Sequence, residues 1–121
     1  MRLDVRCEGL EASHALRGYA ERRLLFALSR FAPRILWVRV RLADSNGPRR
    51  RGIDKRCRIE VRGDRSWTIV LEETGSDSYV AIDRAADRAG RAVARAIDRA
   101  RRARRLPTSG FPGMGLRRIV Q

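Results

Sequence analysis

The sequence predicts an α+β fold, a two-layer sandwich in which a four-stranded sheet carries both helices on one face. Four segments alternate apolar and polar residues with the period of a strand, and two repeat small apolar residues with the period of a helix. Their order is β-α-β-β-β-α. Because each strand has one apolar face and each helix one apolar stripe, stacking both helices on the same side of the sheet buries them all.

The first two elements are a strand and a helix. Residues 2–8 alternate and predict a half-buried strand. A helix is expected over residues 14–31, ended by Pro33, whose ring does not fit a helix interior. Its predicted core stripe consists of Leu16, Ala20, Leu24, Ala27, Leu28 and Phe31.

Three more strands are predicted at residues 35–42, 55–62 and 66–73, with a polar loop over residues 44–54. The helix between the first two strands makes that pair parallel, and the remaining connections are hairpins. The side chains expected to face the helices are Leu36, Val38, Val40, Leu42, Cys57, Ile59, Val61, Trp67, Ile69 and Leu71.

A long helix over residues 78–104 divides its residues between two sectors of a helical wheel. Small apolar residues fill a sector of about 120°, and arginines cluster within about 80° on the opposite side. These arginines, here called the arginine face, are Arg84, Arg88, Arg91, Arg95, Arg99 and Arg102. A solvated surface in an arginine-rich proteome is one explanation, although like charges at this spacing repel. A phosphate-binding surface explains the clustering better, because each guanidinium can hold a phosphate through two hydrogen bonds.

The first helix carries aromatic residues among arginines on a flank outside its core stripe. Unpaired bases of RNA offer flat faces to aromatic rings, which makes this flank a second candidate for RNA contact. Packing against the long helix is the alternative; it is favoured for Phe26 and left open for Tyr19. The candidate contacts on this flank are Tyr19, Arg22, Arg23 and Arg30.

The outer face of the sheet adds further arginines, among which the Arg39/Arg41 pair lies beside Trp37. The residues predicted on this face are Arg2, Arg6, Trp37, Arg39, Arg41, Arg56, Arg58 and Arg62. A polar outer face is ordinary for a sheet of this kind, and nearby acidic residues dilute its charge. We therefore treat this face as a secondary part of the predicted basic surface, except for the Arg39/Arg41 pair, which is kept as a candidate contact with RNA.

The charge balance indicates the kind of partner. The chain has 28 lysines and arginines against 14 aspartates and glutamates, a net charge of +14. Such an excess points to a polyanion, chiefly nucleic acid. Apolar runs long enough to span a membrane and the apolar region of a signal peptide are both missing, so we expect no membrane contact and a cytoplasmic location. Cys7 and Cys57 are expected to be free thiols.

The sequence offers no arrangement of residues for catalysis. His14 is the only histidine, and no candidate nucleophile lies near it in sequence. Phosphate-binding loops and Cys/His metal spacings are missing. We therefore expect a protein that is not an enzyme and that uses no metal, cofactor or small-molecule substrate.

Two segments resemble a known family. The segment LEASHALRGYAERRLLFALSRF matches its first helix through Leu16, Arg17, Tyr19, Arg23 and Leu24. The segment DSYVAIDRAADRAGRAVARAIDR matches its Asp-x-Tyr-x-Ala-Ile-Asp element and basic helix through Asp77, Tyr79, Ala81, Ile82 and Asp83. Over roughly residues 1–104 the chain resembles the bacterial ribosome hibernation-promoting factor and ribosome-associated translation inhibitor family, in its short form.

The resemblance implies a fold like that of a double-stranded-RNA-binding domain. It also implies binding to the 16S rRNA of the small ribosomal subunit, in the channel that messenger and transfer RNAs use. The implied effect is to inhibit translation and to promote ribosome hibernation under stress. The basic helix positions of the family correspond here to Arg88, Arg91, Arg95 and Arg99.

The expected organisation is a ribosome-binding domain over residues 1–105 and a flexible basic tail over residues 106–121, monomeric when free. A general RNA- or DNA-binding module that is not tied to the ribosome stays open as an alternative. So does a protein that docks on an acidic protein partner.

Overall fold

The computed structural model describes residues 1–8, 14–44 and 55–105. Its elements are β1 (Arg2–Glu8), α1 (His14–Leu28), a 3-10 helix (Ser29–Arg34), β2 (Ile35–Asp44), β3 (Lys55–Gly63), β4 (Thr68–Gly75) and α2 (Ser78–Arg105). The strands lie in the order β1-β2-β3-β4, with β1 parallel to β2 and the other pairs antiparallel. The predicted fold class and strand pairing are confirmed. The predicted tail and nearly all of the predicted loop lie outside the described residues.

The core forms between the inner face of the sheet and the two helices. On α2 the side chains of Ala85, Ala86, Ala89 and Val93 are completely buried. Small side chains let α2 lie close to the sheet, and the sheet supplies the larger apolar groups in return. The larger core residues are Leu24, Leu28, Val38, Val40, Leu42, Ile59, Val61 and Ile82.

The first helix ends earlier than predicted. The α-helical part stops at Leu28, and the chain continues as a 3-10 helix that contains Pro33. Proline has no N–H for the bond to the carbonyl four residues earlier, so the α-helical ladder cannot extend through this turn. In the 3-10 helix Pro33 likewise donates no bond, and the residues around it can instead bond to carbonyls three residues earlier. Pro33 therefore changes the type of helix rather than terminating it.

The inward residue at the start of β2 was also predicted wrongly. Leu36 is 52% exposed, whereas Ile35 is 3% exposed and belongs to the core. The pairing with β3 shifts between Ile35 and Trp37, so that an extra residue stands in β2. Such a bulge reverses the alternation on one side of itself. Beyond it the predicted faces of β2 are correct.

The turn between β3 and β4 depends on a glycine under an indole ring. The N–H of Gly63 donates to the carbonyl of Trp67 at 2.8 Å, and Ser66 within the turn has a positive φ of 69°. Trp67, predicted as part of the fourth strand, precedes β4 and packs its ring over Gly63. A methyl group on Gly63 would lie 1.9 Å from that ring.

We expect Gly63→Ala to lower the free energy of unfolding by about 1–3 kcal/mol, because the indole must move to admit the methyl group. Urea unfolding followed by circular dichroism measures the change. Gly18→Ala is the matched control: there a methyl group would meet only the movable end of Arg22 at 3.2 Å, and helix propensity favours alanine. Equal stability of the two variants would contradict this account of the turn.

Candidate nucleic-acid interface

A cluster of polar and aromatic side chains joins α1 to α2. The Tyr19 hydroxyl donates to Oδ1 of Asp83 at 2.5 Å. The Arg23 guanidinium donates to Asp83 at 3.1 Å and to Asp87 at 2.9 Å. The ring of Tyr79 meets that of Tyr19 edge-on, with centroids 4.9 Å apart. We call these five residues the helix–helix cluster.

The cluster connects the two segments that carry the family resemblance. Tyr19 and Arg23 come from the first segment, and Tyr79 and Asp83 come from the second. Asp77, also in the second segment, accepts a hydrogen bond from the N–H of Val80 at 3.0 Å and so caps the start of α2. These motif residues therefore set the position of α2 relative to α1.

The electrostatics of the cluster suit this structural role. The hydrogen bond to Asp83 raises the pKa of the Tyr19 hydroxyl, with burial and the charge of Asp83 adding to the effect. The hydroxyl therefore stays protonated as a donor at neutral pH. Its contribution to stability is complete below the ordinary tyrosine pKa and is lost as the pH rises through the higher folded-state pKa.

The candidate residues of α1 and of the 3-10 helix that follows it thus separate into two groups. Tyr19 and Arg23 are engaged with α2, whereas Arg22 and Arg30 are exposed and Arg30 lies over the ring of Phe31 at 4.7 Å. Phe26 is 83% exposed, so the prediction that it packs against α2 is wrong. The helix–helix contact uses the neighbouring flank of α1.

The arginine face of α2 divides according to its surroundings. Near the start of the helix, Arg84 donates to the carbonyl of Thr74 at 3.0 Å. Arg88 donates to the carbonyl of Glu72 at 3.3 Å and to the carboxylate of Glu73 at 2.6 Å. These two side chains reach over β4, an edge strand whose outer carbonyls would otherwise face solvent. They hold the fold together as well as contributing charge.

Farther along α2 the surroundings change. Arg102 pairs with Asp98 at 2.8 Å, one helical turn away. Arg91, Arg95 and Arg99 are exposed, and none of them has a hydrogen-bond or carboxylate partner among the described residues. We call these three the central arginines.

The central arginines have the chemistry of an anion-binding surface. They stand on successive turns and cover about 12 Å of helix. Since no protein carboxylate in the described ranges neutralises them, a phosphate does not have to displace an internal partner. The sequence predicted that these residues share a face, but it could not show which of the six were already engaged.

Arg39 and Arg41, the pair predicted on the outer sheet face, contact different partners. Arg41 lies 3.3 Å from the carboxylate of Glu8, whereas the Arg39 guanidinium lies over the Trp37 ring at 4.3 Å. The strand register places two further arginines, Arg2 and Arg62, on either side of Trp37. The sequence predicted both on the outer sheet face, but their position beside Trp37 follows from the strand register, which the sequence does not give.

A reactive cysteine, a metal site or a membrane span would each require particular features of the described residues. Burial, together with the charge of Glu72, raises the pKa of the Cys57 thiol to about 12, and both cysteines are free. Within the described ranges, no group of three or more His, Cys, Asp or Glu could hold a metal ion. None of the described helices is long and apolar enough to cross a membrane.

The fold and the charges define an α+β domain whose helical layer presents a strongly basic surface. Residues 3–101 match the family model described as Sigma 54 modulation protein / S30EA ribosomal protein. The chain belongs to this family of ribosome-associated proteins, which confirms the resemblance to ribosome hibernation factors.

The solved structures that are similar to this chain include the following two. The Protein Y N-terminal domain of Thermus thermophilus is 29% identical, with a TM-score of 0.65, and the alignment covers 78% of this chain and 98% of that one. A ribosomal subunit interface protein from Coxiella burnetii shares the fold at 18% identity and a TM-score of 0.64, over 81% of this chain and 99% of that one. No curated protein matches the sequence.

We expect Asp83→Ala to lower the free energy of unfolding by about 1–2 kcal/mol, because Tyr19 loses its acceptor and Arg23 keeps only Asp87. Asp98→Ala is the control: its ion pair with Arg102 is an exposed one within the helix, and its loss should change stability by less than about 0.5 kcal/mol. Thermal and urea unfolding measure both. Similar effects of the two substitutions would contradict the role given to the helix–helix cluster.

Proposed function

We propose that this chain is a non-catalytic ribosome-binding factor that occupies the messenger- and transfer-RNA channel of the small subunit. Its binding inhibits translation and promotes ribosome hibernation in the cytoplasm. The partner is 16S rRNA, and the main contacts run from the central arginines to its phosphates. One observation carries the proposal: Arg91, Arg95 and Arg99 form an exposed row with no internal partner among the described residues.

Physical chemistry supports a polyanionic partner for this row. Adjacent guanidinium groups on a helix repel one another, so leaving them without carboxylates lowers the stability of the free protein slightly. Phosphates remove that repulsion and accept two hydrogen bonds from each guanidinium. The net charge of +14 adds long-range attraction to RNA.

Family membership supports the ribosome as the source of that RNA. The matched region, residues 3–101, includes the central arginines and nearly all of α2. Residues 1–105 would act as the binding domain, with residues 106–121 as a basic tail and the free protein a monomer. Arg22 of α1 and Arg30 of the 3-10 helix would extend the contact as exposed cations. Arg84, Arg88 and Arg102 would contribute chiefly through their charge.

Replacing the central arginines tests this assignment. We expect Arg91→Ala, Arg95→Ala and Arg99→Ala together to weaken cosedimentation with small ribosomal subunits roughly 100-fold, since three phosphate contacts are lost. The slope of log affinity against log salt concentration should fall by about 2–3 in magnitude. Alanine in exposed helix positions should preserve the fold.

A matched control removes the same charge elsewhere. Arg6, Arg56 and Arg58 lie on the outer sheet face, where they pair with Asp4, Glu72 and Glu60. Replacing these three with alanine should leave both the affinity and the salt slope almost unchanged. Equal losses in the two triple variants would mean that binding follows net charge alone, and the assignment to α2 would fail.

A general RNA-binding module is the competing function, because unpaired arginines bind any phosphate. A competition experiment distinguishes the ribosome-binding factor from the general RNA-binding module. Small subunits should displace the protein from labelled subunits at much lower RNA concentration than bulk duplex RNA does. If duplex RNA displaces it equally well, the general module is the better description.

A further inference from the structure

Most arginines on the outer sheet face already have a carboxylate within reach. These pairs run along the face and leave little net charge where they occur. They are Arg6 with Asp4 at 3.3 Å, Arg41 with Glu8 at 3.3 Å, Arg58 with Glu60 at 3.6 Å and Arg56 with Glu72 at 3.7 Å. The basic charge of this face is therefore not spread evenly over it.

The arginines without a carboxylate gather at one place. Among the described residues, Arg2, Arg39 and Arg62 have no ion pair, and all three surround Trp37. Arg2 on β1 and Arg62 on β3 are the cross-strand partners of Trp37 on β2. Arg39 is the next outward residue on β2. We call these four residues the Trp37 cluster.

The geometry of the cluster favours a flat ligand. The Arg39 guanidinium lies over the indole of Trp37, 4.3 Å from the ring centroid. This cation–π contact holds a long side chain against the sheet and limits the entropy lost on binding. Guanidinium planes stack on nucleic-acid bases, and Arg39 is exposed.

The surface around the cluster has the shape and charge to admit such a ligand. A concave region of about 750 Å³ lies over the outer sheet face, and its lining includes Arg2, Trp37 and Arg39. Asp4 and Glu60, the cross-strand partners of Arg39, also line it. The unpaired positive charge is therefore provided chiefly by Arg2 and Arg62 at the Trp37 end. Arg2 and Arg62 flank the stacked pair, where they can bind the phosphates on either side of a base. An anionic lipid headgroup would pair with the arginines but would leave the stacked Arg39–Trp37 pair without a flat ligand to stack on it.

We propose that the Trp37 cluster is a second RNA site, which binds an unpaired nucleotide of single-stranded RNA. The base stacks on the Arg39–Trp37 pair, and Arg2 and Arg62 hold the neighbouring phosphates. The site lies on the opposite layer from the arginine face, so one domain can hold two RNA segments at once. The inference rests on the proposed function only in taking RNA as the partner.

The test uses the whole chain carrying Arg91→Ala, Arg95→Ala and Arg99→Ala, so that the central arginines cannot bind the probe. The probe is a short fluorescein-labelled single-stranded oligoadenylate, and its anisotropy at low salt reports binding. We expect saturable binding that Arg39→Ala weakens about tenfold, the loss of one stacked base. Arg56→Ala, which removes an arginine paired with Glu72, should change it less than about twofold.

Tryptophan emission gives a readout that locates the site. Oligoadenylate should quench the tryptophan emission of the chain that carries the three central substitutions, here called the parent chain. Adding Trp37→Phe to it should abolish that quenching while Trp67 continues to emit. The proposal is overturned if the parent chain fails to bind the probe, or if Arg39→Ala and Arg56→Ala act alike. Competition by duplex RNA or by anionic lipid vesicles as effective as that by the single strand would also overturn it.

The outcome is distinguishable from failure of the proposed function. If the unmodified chain does not cosediment with small subunits but binds oligoadenylate through Arg39, the sheet site stands and the ribosomal assignment fails. If the chain binds subunits through the central arginines but not the oligoadenylate through Arg39, the reverse holds.

Discussion

The packing of α2 on the sheet through small side chains determines the rest of the structure. Ala85, Ala86 and Ala89 are fully buried and bring the helix backbone close to the strands. The charged side chains of α2 are then sorted by direction. Asp83 and Asp87 meet α1, Arg84 and Arg88 reach β4, and the central arginines face solvent. A helix held farther from the sheet by larger residues would not place its first arginines over β4.

This sorting gives two different roles to residues of the segments that carry the family resemblance, because the second segment also contains the central arginines. Tyr19, Tyr79 and Asp83 belong to the segments that carry the resemblance, and each lies in the helix–helix cluster. Their role is to position α2, so a family match on such residues reports the fold. The binding surface is a consequence of that positioning and lies farther along the same helix.

Periodicity predicted most of this architecture because burial imposes it directly. The alternating faces of β1 and β3, the β-α-β-β-β-α order and the two faces of α2 all follow from which side chains avoid water. The bulge at Leu36 and the 3-10 helix around Pro33 depend on how backbone hydrogen bonds are made, and the pattern of apolar residues does not predict those bonds. They were missed for that reason.

The candidate site was predictable in outline only. A helical wheel places the arginine face correctly, but an ion pair depends on distances between elements that are remote in sequence. Arg23 reaches Asp83 across 60 residues, and Arg88 reaches Glu73 across 15. Only the folded arrangement distinguishes these engaged arginines from the central ones. The exposure of Phe26 was missed because its neighbours on α1 make the contact with α2.

The most direct test of the account is a cryo-electron microscopy map of the protein bound to the small ribosomal subunit. We expect α2 to lie against 16S rRNA, with the guanidinium groups of Arg91, Arg95 and Arg99 within about 4 Å of phosphate oxygens, a distance at which the charges interact strongly. A map in which this face of α2 points to solvent or to ribosomal protein would contradict it.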